Sequence, residues 1–330
     1  MLTMANRNDD IIKVLLADVK GQVGKENCQW KLSDLEECNE IIRNYARKGD
    51  PQSRWQIAEV TTFMVDDLLK QSEQLLNELA EVKTVANGEK AQFAAAQNDV
   101  TAYILAKGGT PLRTKIANKY VTVDTIEIAA RPYMNFQDLA TGRLNMSDLA
   151  TSAAREISYK KIRYIQDILN AAVATVGENG YLATNTLNAQ AFNKVLATFR
   201  RMSPGNVRVI GDVGALDNLD GVITGDYSYA PDTIEGILRT GYVGHYKGAT
   251  IIGLENPIID YAMNPLLDTD ILYLMGGEVP SLKVVNEGGV RTMEQQNIDD
   301  ESYEMVIRQD FGAAWVAGKF PTIGAVKFTA

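Results

Sequence analysis

Apolar residues in the first ninety positions recur three or four residues apart, the spacing that puts them on one face of an α-helix. One stripe covers residues 11–19 and a second covers residues 35–45. Ser33 and Glu36 have the spacing of a capping box, in which each side chain accepts a hydrogen bond from a free amide of the first turn. These patterns predict a helical N-terminal extension over residues 1–90.

A third apolar stripe begins after Pro51, a position where the missing amide of proline costs little, and continues to about Val85. At 1.5 Å per residue this helix would be roughly 50 Å long. A helix of that length buries its apolar face either against its own subunit or against a neighbouring molecule. The pattern alone leaves both possibilities open.

Alternation replaces the helical spacing after residue 90. Residues 100–105 and 120–128 have the β-branched content and two-residue period of strands. We therefore predict an extended β-hairpin loop over residues 91–137. No acidic residue lies between Asp99 and Asp124, so the tip of this hairpin is basic and suited to docking on an acidic neighbour. The tip residues predicted to make this contact are Lys107, Gly108, Gly109, Pro111, Arg113, Lys115 and Lys119.

The strongest helical pattern covers residues 146–176 and ends before Gly177. Its length would be on the order of 45 Å. Lys160, Lys161 and Arg163 are assigned to the polar face, opposite the apolar stripe. We predict that these three side chains contact another subunit.

The rest of the chain has a mixed α/β pattern. We predict a helix over residues 187–202, a loop over residues 211–229, and strands at 206–210, 248–254, 271–275 and along the C-terminal segment. Asp299, Asp300 and Glu301 belong to an acidic turn. Carboxylates in such a turn can bind calcium or act as acid and base. The sequence lacks the pattern of a calcium-binding loop, in which acidic residues alternate around a central glycine. We interpret the turn as solvated or as a contact between subunits.

Composition excludes several classes of protein. The 330 residues carry a net charge of −9, with 45% apolar and 23% charged residues, which is typical of a folded globular protein. A strongly acidic chain is a poor candidate for gripping nucleic acid, although an acidic wall suits a container for DNA. No apolar run reaches the length of about 20 residues needed to cross a bilayer. The N-terminal sequence does not resemble a secretory signal, so we expect assembly in the cytoplasm.

Candidate catalytic residues are few. His245 is the single histidine, and its glycine-rich surroundings indicate a structural turn. Gly21 to Lys25 is too short for a phosphate-binding loop. Cys28 and Cys38 lack the partners of a zinc site and are interpreted as reduced thiols. We predict no catalytic, cofactor-binding or metal-binding residue, and hence no enzyme.

The order of the predicted elements resembles that of the major capsid proteins of tailed bacteriophages. Three stretches carry the resemblance. Residues 126–136 are similar to the return arm of that family's extended loop, and residues 138–149 resemble the start of its spine helix. Residues 310–328 are similar to its closing strands. The resemblance covers roughly residues 90–330.

This resemblance implies an α+β, HK97-like capsid fold with a long spine helix, an extended β-hairpin loop, and peripheral and axial α/β domains. The peripheral domain would comprise residues 138–182 and 266–310. The axial domain would comprise residues 183–265 and 311–330, with Gly211 to Tyr229 forming the loop at the capsomer axis.

The function implied is self-assembly into hexamers and pentamers of an icosahedral head shell that encloses double-stranded DNA in the virion. Scaffold, portal and decoration proteins would be its partners. We expect the N-terminal helices to be retained and to brace neighbouring subunits. The alternatives are an encapsulin-like nanocompartment shell, distinguished by the genes nearby, and more distantly an α+β hydrolase with a helical oligomerisation region, since carboxylates alone can hydrolyse glycosides.

Overall fold

A computed structural model describes residues 4–25, 28–72, 76, 79–97, 117–176, 181–184, 189–202, 207–223, 244–254, 256–277, 280–296, 302–316 and 322–328. The helices are α1 (Met4–Val19), α2 (Leu32–Lys48), α3 (Pro51–Ser72), α4 (Phe136–Thr141), α5 (Met146–Val176), α6 (Ala189–Met202) and α7 (Val213–Ile223). The strands are β1 (Glu81–Val85), β2 (Gln92–Gln97), β3 (Ala117–Thr122), β4 (Ile126–Ala130), β5 (Tyr133–Asn135), β6 (Tyr181–Thr184), β7 (Val207–Asp212), β8 (His245–Tyr246), β9 (Ala249–Leu254), β10 (Ile271–Gly276), β11 (Leu282–Gln296), β12 (Ser302–Trp315) and β13 (Ile323–Phe328).

The first helices begin and end at residues with specific capping roles. The predicted capping box at Ser33 is wrong, because the residue that precedes α2 is Lys31, two residues earlier. The first turn of α2 is closed by Asp34, whose Oδ2 accepts a hydrogen bond from the Lys31 amide at 2.8 Å. Gly49 ends α2 in the left-handed conformation, with φ 61°, as its lack of a Cβ allows. Asp50 then caps α3 and accepts the Ser53 amide at 2.8 Å.

The third helix does not continue to Val85 as predicted. Residues 81–85 form β1, which pairs in parallel with β11 from Glu81 opposite Lys283 to Val85 opposite Glu287. Three of these five residues are β-branched, and the pleated surface of a sheet accommodates them better than a helix does. Pairing with a distant strand decides the conformation of a segment whose apolar spacing also fits a helix.

The N-terminal helices share one hydrophobic core with α5 and with the sheet that contains β11. Leu15 of α1 and both Met64 and Val65 of α3 are completely buried in it. A hydrogen bond of 2.6 Å joins Thr62 Oγ1 of α3 to Thr292 Oγ1 of β11. Of the two possibilities left by the pattern, α3 therefore packs against its own subunit.

The helix α5 spans the predicted residues 146–176, which confirms the long spine helix. It packs on a five-stranded sheet with the order β1-β11-β12-β4, in which β5 also pairs with β12. Along β12, alternate residues such as Met305, Ile307 and Phe311 are buried beneath α5, whereas the charged residues between them lie on the opposite, outer face.

A six-stranded sheet with the order β6-β13-β10-β7-β9-β8 forms the second body of the described residues. Helices α6 and α7 cover it, and Phe192 and Phe199 are among its completely buried side chains. One expectation is wrong here: residues 213–223 are helical and not a loop. Strand β10 lies inside this sheet between β13 and β7, because its six buried positions suit a strand that is covered on both faces. The assignment of residues 266–310 to the peripheral domain stays a prediction.

The predicted hairpin is formed by β2 and β3, which pair antiparallel from Gln92 opposite Thr122 to Gln97 opposite Ala117. The alternation over residues 120–128 is not one strand, however. The chain leaves the two-stranded hairpin after Thr122 and joins the five-stranded sheet as β4. The predicted first arm at residues 100–105 lies outside the described residues.

Candidate assembly surface

The hairpin is anchored on the outer face of the five-stranded sheet by Phe93. This side chain is completely buried and packs with Ala91, Val123 and Val285. Two lysine ammonium groups from β1 and β11 lie near its ring, Lys83 Nζ at 4.4 Å and Lys283 Nζ at 5.7 Å from the centroid. Cations over an aromatic face are attracted by its quadrupole, so the contacts hold the root of the hairpin against both strands.

A carboxylate ties the same root to the sheet. Glu287 of β11 accepts hydrogen bonds from the Gly88 amide at 2.7 Å and from Thr125 Oγ1 at 2.5 Å. The Thr125 and Gly88 hydrogen bonds, with smaller contributions from Arg291 and Lys90, lower the pKa of Glu287 below its usual value. Glu287 therefore links the turns before β2 and after β3, the two segments that determine where the hairpin leaves the subunit.

The chain also approaches the sheet closely at the end of the hairpin. A Cβ added to Gly312 would lie 2.6 Å from the carbonyl oxygen of Asp124, closer than real side chains come to backbone. Glycine is therefore required at this position of β12 for the linker between β3 and β4 to lie directly on the sheet.

Ion pairs also lie on the outer face. Arg291 Nη2 lies 2.5 Å from Asp310 Oδ2 and 3.5 Å from Glu127 Oε2. Arg308 Nη1 lies 2.8 Å from Glu127 Oε1, and Arg131 pairs with Glu304 at the far end. Exposed pairs of this kind contribute only about 0–1 kcal/mol each, but they keep this side of the sheet polar and hydrated.

The three basic residues predicted on the polar face of α5 do not lie together. Lys160 and Arg163 are exposed. The assignment of Lys161 is wrong, since it is 1% exposed with Nζ 5.1 Å from the centroid of the Phe311 ring. Lys161 is four residues from both Ile157 and Ile165, a spacing that places it on the apolar face and that sequence analysis should have weighed above its charge.

Most of the other predicted contact residues lie outside the residues that the structure describes. Strand β3 places the backbone of Lys119 opposite Ala95 in the hairpin. The residues outside the described ranges are Lys107, Gly108, Gly109, Pro111, Arg113, Lys115, Asp299, Asp300 and Glu301. Their role in contacts stays a prediction.

Sequence analysis missed an exposed apolar loop between β9 and β10. Ile258, Ile259, Tyr261 and Met263 are all accessible there, within six positions of one another. An antiparallel bridge between Ile258 and Pro265 closes the loop. Four large apolar residues within six positions, bounded by prolines, were the available signal.

A cavity of about 480 Å³ lies between α3, α5 and the six-stranded sheet. Leu68, Leu169 and Ile210 are typical of its mainly apolar lining. Two of its polar groups are engaged in hydrogen bonds: Tyr273 Oη bonds to Asn170 Oδ1 at 2.6 Å, and Asp212 Oδ2 accepts the Gly214 amide at 2.9 Å.

The remaining candidates for chemistry are separated from one another. His245 is exposed on β8. Burial raises the pKa of the Cys38 thiol to about 11, which keeps it protonated and unreactive at neutral pH. The described residues contain no cluster of three side chains suited to bind a metal ion. Among the described helices none is long and apolar enough to span a bilayer.

Residues 3–327 match a family model described as "SPbeta prophage-derived putative capsid protein YonB". No curated protein is detectably similar in sequence.

Solved structures are similar in fold. A chain of Microbacterium phage Oxtober96 has a TM-score of 0.54 at 11% identity, over 77% of this chain and 90% of that chain. The capsid of the native GTA particle has a TM-score of 0.52 at 14% identity, over 77% of this chain and 90% of that chain. The capsid of Cyanophage P-SCSP1u has a TM-score of 0.51 at 14% identity, over 77% of this chain and 87% of that chain. These likenesses confirm the predicted HK97-like shell fold.

Proposed function

The chain belongs to the YonB family of prophage-derived capsid proteins and is a phage capsid shell protein, and from this premise we propose that its copies form the hexamers and pentamers of an icosahedral head. This head would enclose double-stranded DNA, and the subunit would be its major component. The role is structural: stability comes from contacts between copies and requires no catalysed reaction. The chain is a virion protein, and we propose that it assembles in the host cytoplasm.

The observation that carries this proposal is the anchored but unpaired hairpin. Strands β2 and β3 form a separate two-stranded sheet in the described residues. A two-stranded ribbon is only marginally stable in water unless another surface covers it. Its root is fixed by Phe93 and Glu287, and no further strand among the described residues pairs with its edges, which would leave them open to a neighbour. A hairpin with a fixed root and free edges is suited to reach over an adjacent copy.

Charge indicates which surface of a neighbouring copy the hairpin would contact. The hairpin segment between Asp99 and Asp124 is basic, whereas the chain as a whole carries −9. Attraction between this segment and an acidic surface, such as the turn containing Asp299 and Asp300, would orient the encounter of two copies. Apolar burial would then supply most of the affinity, because exposed ion pairs contribute little.

The N-terminal helices would be retained in the mature shell. Leu15, Ile57 and Met64 are buried in the same core as α5, so removal of residues 1–80 would expose the apolar face of the spine helix. Exposed areas of that size cause aggregation. The outer faces of these helices, which carry the exposed Trp55 and Phe63, would brace neighbouring subunits.

We propose that the five-stranded sheet with α5 is the peripheral domain and the six-stranded sheet with α6 and α7 is the axial domain. Scaffold, portal and decoration proteins would be the other partners. The encapsulin-like alternative is less favoured, because the matched family is described as a phage capsid.

Negative-stain electron microscopy of the purified full-length chain, with size-exclusion chromatography, tests the proposal. We expect closed shells, or hexamers and pentamers that assemble further when scaffold is co-expressed. A monomer that remains monodisperse with and without the co-expressed scaffold would contradict it. Terminase and portal genes nearby would favour the phage head, and a neighbouring cargo-enzyme gene would favour a nanocompartment.

A further inference from the structure

The loop between β9 and β10 presents an apolar surface to solvent. Tyr261 is fully exposed, Met263 is 71% exposed, Ile258 is 55% exposed and Ile259 is 40% exposed. Single exposed apolar residues are common on protein surfaces and need no explanation. Four large ones within six positions of one short loop are unusual, and clustered exposed apolar residues are typical of a surface that another molecule covers.

Hydrogen bonds within the loop hold this patch in a fixed shape. The Ile259 amide donates to the Asn264 carbonyl at 3.0 Å. Asp260 accepts both the Asn264 amide at 3.0 Å and the Asn264 side-chain amide at 2.7 Å. At the base, the Asn256 side chain accepts the Leu267 amide at 2.7 Å and donates to its carbonyl at 3.0 Å. A preformed loop loses little conformational freedom on binding.

The backbone of the loop is strained at one of the exposed residues of the patch. Met263 has a φ of 63°, a left-handed conformation that residues with a Cβ rarely adopt. Glycine would fit this turn without strain, yet the chain has a large apolar residue there. Strain that persists at an exposed position indicates a role outside the fold of the single subunit.

Charge is nearly absent from the loop. Asp260 is the single charged residue between Asn256 and Leu267, and both its oxygens accept hydrogen bonds from Asn264. These bonds also lower the pKa of Asp260. Depletion of charge around exposed aromatic and methionine side chains is typical of the centre of a protein–protein interface.

We propose that residues 256–267 form a rigid contact that packs against a second copy of this chain, an inference that rests on the proposed shell function. A second copy is the partner because a shell subunit is surrounded by copies of itself, and head-to-tail contacts around a ring can bury a protruding element of each. Pro257, Leu266 and Leu267 at the base of the loop line the cavity of about 480 Å³. A protruding apolar tip therefore lies beside an apolar hollow, a pair of shapes that neighbouring copies can match.

The test separates folding from assembly through the double variant Tyr261→Ser with Met263→Gly. We expect the melting temperature of the unassembled subunit to stay the same or rise, because the tyrosine is fully exposed and glycine relieves the strained backbone. We expect the yield of particles to fall by about tenfold or more, as for loss of an interface hot spot. The matched control is Ala262→Ser, which changes the same turn without removing apolar bulk, and it should assemble like the wild type.

A photo-activated cross-linker placed at position 261 identifies the partner. Cross-links between two copies of the chain support the inference. Cross-links mainly to a different virion protein would overturn it, and so would normal particle yield in the double variant while the wild type assembles. If the wild type itself forms no particles, with or without scaffold, the proposed shell function fails and this inference with it.

Discussion

The two sheets of this subunit differ in how many of their faces are covered by other parts of the subunit. Strand β10 of the six-stranded sheet is buried at all six positions, so that sheet is covered on both faces within one subunit. The five-stranded sheet is covered by α3 and α5 on one face and carries ion pairs and the hairpin root on the other. The first arrangement stabilises the monomer. The second leaves a polar face and a projecting hairpin available to neighbours, and we expect changes to the two sheets to have different consequences.

The largest effect should come from the doubly covered sheet. Leu274→Ala removes a completely buried side chain of β10 and should destabilise the subunit by about 3–5 kcal/mol, as for other buried leucines. Chemical denaturation of the unassembled subunit would measure this loss. Val306→Ala on the outer face of the other sheet is the matched control and should cost less than about 1 kcal/mol. Equal losses in the two variants would show that the sheets are not covered differently.

The hairpin root should show a smaller and more local effect. Phe93→Ala removes the buried ring between Lys83 and Lys283, at a cost of about 3 kcal/mol. Because the hairpin forms its own two-stranded sheet, the loss should appear as faster hydrogen exchange in β2 and β3, with β7 and β10 unchanged. Particle assembly should fail. Uniformly faster exchange across both sheets would contradict a locally anchored hairpin.

Charge reversal at the hairpin tip tests docking without a change in the fold. Arg113→Glu together with Lys115→Glu should lower particle yield, since the tip would no longer attract an acidic neighbour. The melting temperature of the unassembled subunit should remain within a few degrees of that of the wild type. Raising the salt concentration should weaken wild-type assembly in the same direction. Unchanged yield would count against the docking role of the tip.

The smallest effect concerns Glu287, whose folded-state pKa is lowered by hydrogen bonds from Thr125 and Gly88. A lowered pKa means that the carboxylate stabilises the fold above its unfolded pKa, near 4.3, and that this contribution is lost as the pH falls through the lower folded value. Melting temperature measured from pH 6 to pH 3 should therefore fall less steeply in Glu287→Gln than in the wild type. Thr125→Val should also reduce the slope. If the melting temperature of both variants fell with pH as steeply as that of the wild type, Glu287 would not anchor the hairpin root.

Local patterns predicted the elements that depend on local order. The spine helix was predicted at residues 146–176 because its apolar stripe, its length and the glycine after it agree. The strands at 206–210, 248–254 and 271–275 were also predicted, but their pairing partners, which are distant in the chain, were not. Residues 81–85 have apolar spacing that fits a helix, and pairing with β11 makes them a strand. The sheet to which β10 belongs depends on β7 and β13, which no local pattern identifies.

On the candidate assembly surface, too, some features follow from the local sequence and others depend on the fold. The basic tip is a prediction from charge alone, whereas the buried position of Lys161 required its spacing to be weighed against its charge. The loop at Ile258 to Met263 was missed because apolar residues in a loop have no periodicity, and their exposure is known only once the fold is known.

The pairing of β1 with β11 has a consequence for protein synthesis. Glu81 and Lys283, joined by an ion pair of 2.5 Å, are 202 residues apart in the chain. The five-stranded sheet therefore cannot close until the ribosome has translated most of the chain, and contacts so distant in sequence form slowly. A chain truncated before β11 lacks the strands that bury the spine helix and anchor the hairpin. We therefore expect incomplete translation products to fail to assemble, because they lack the anchored hairpin.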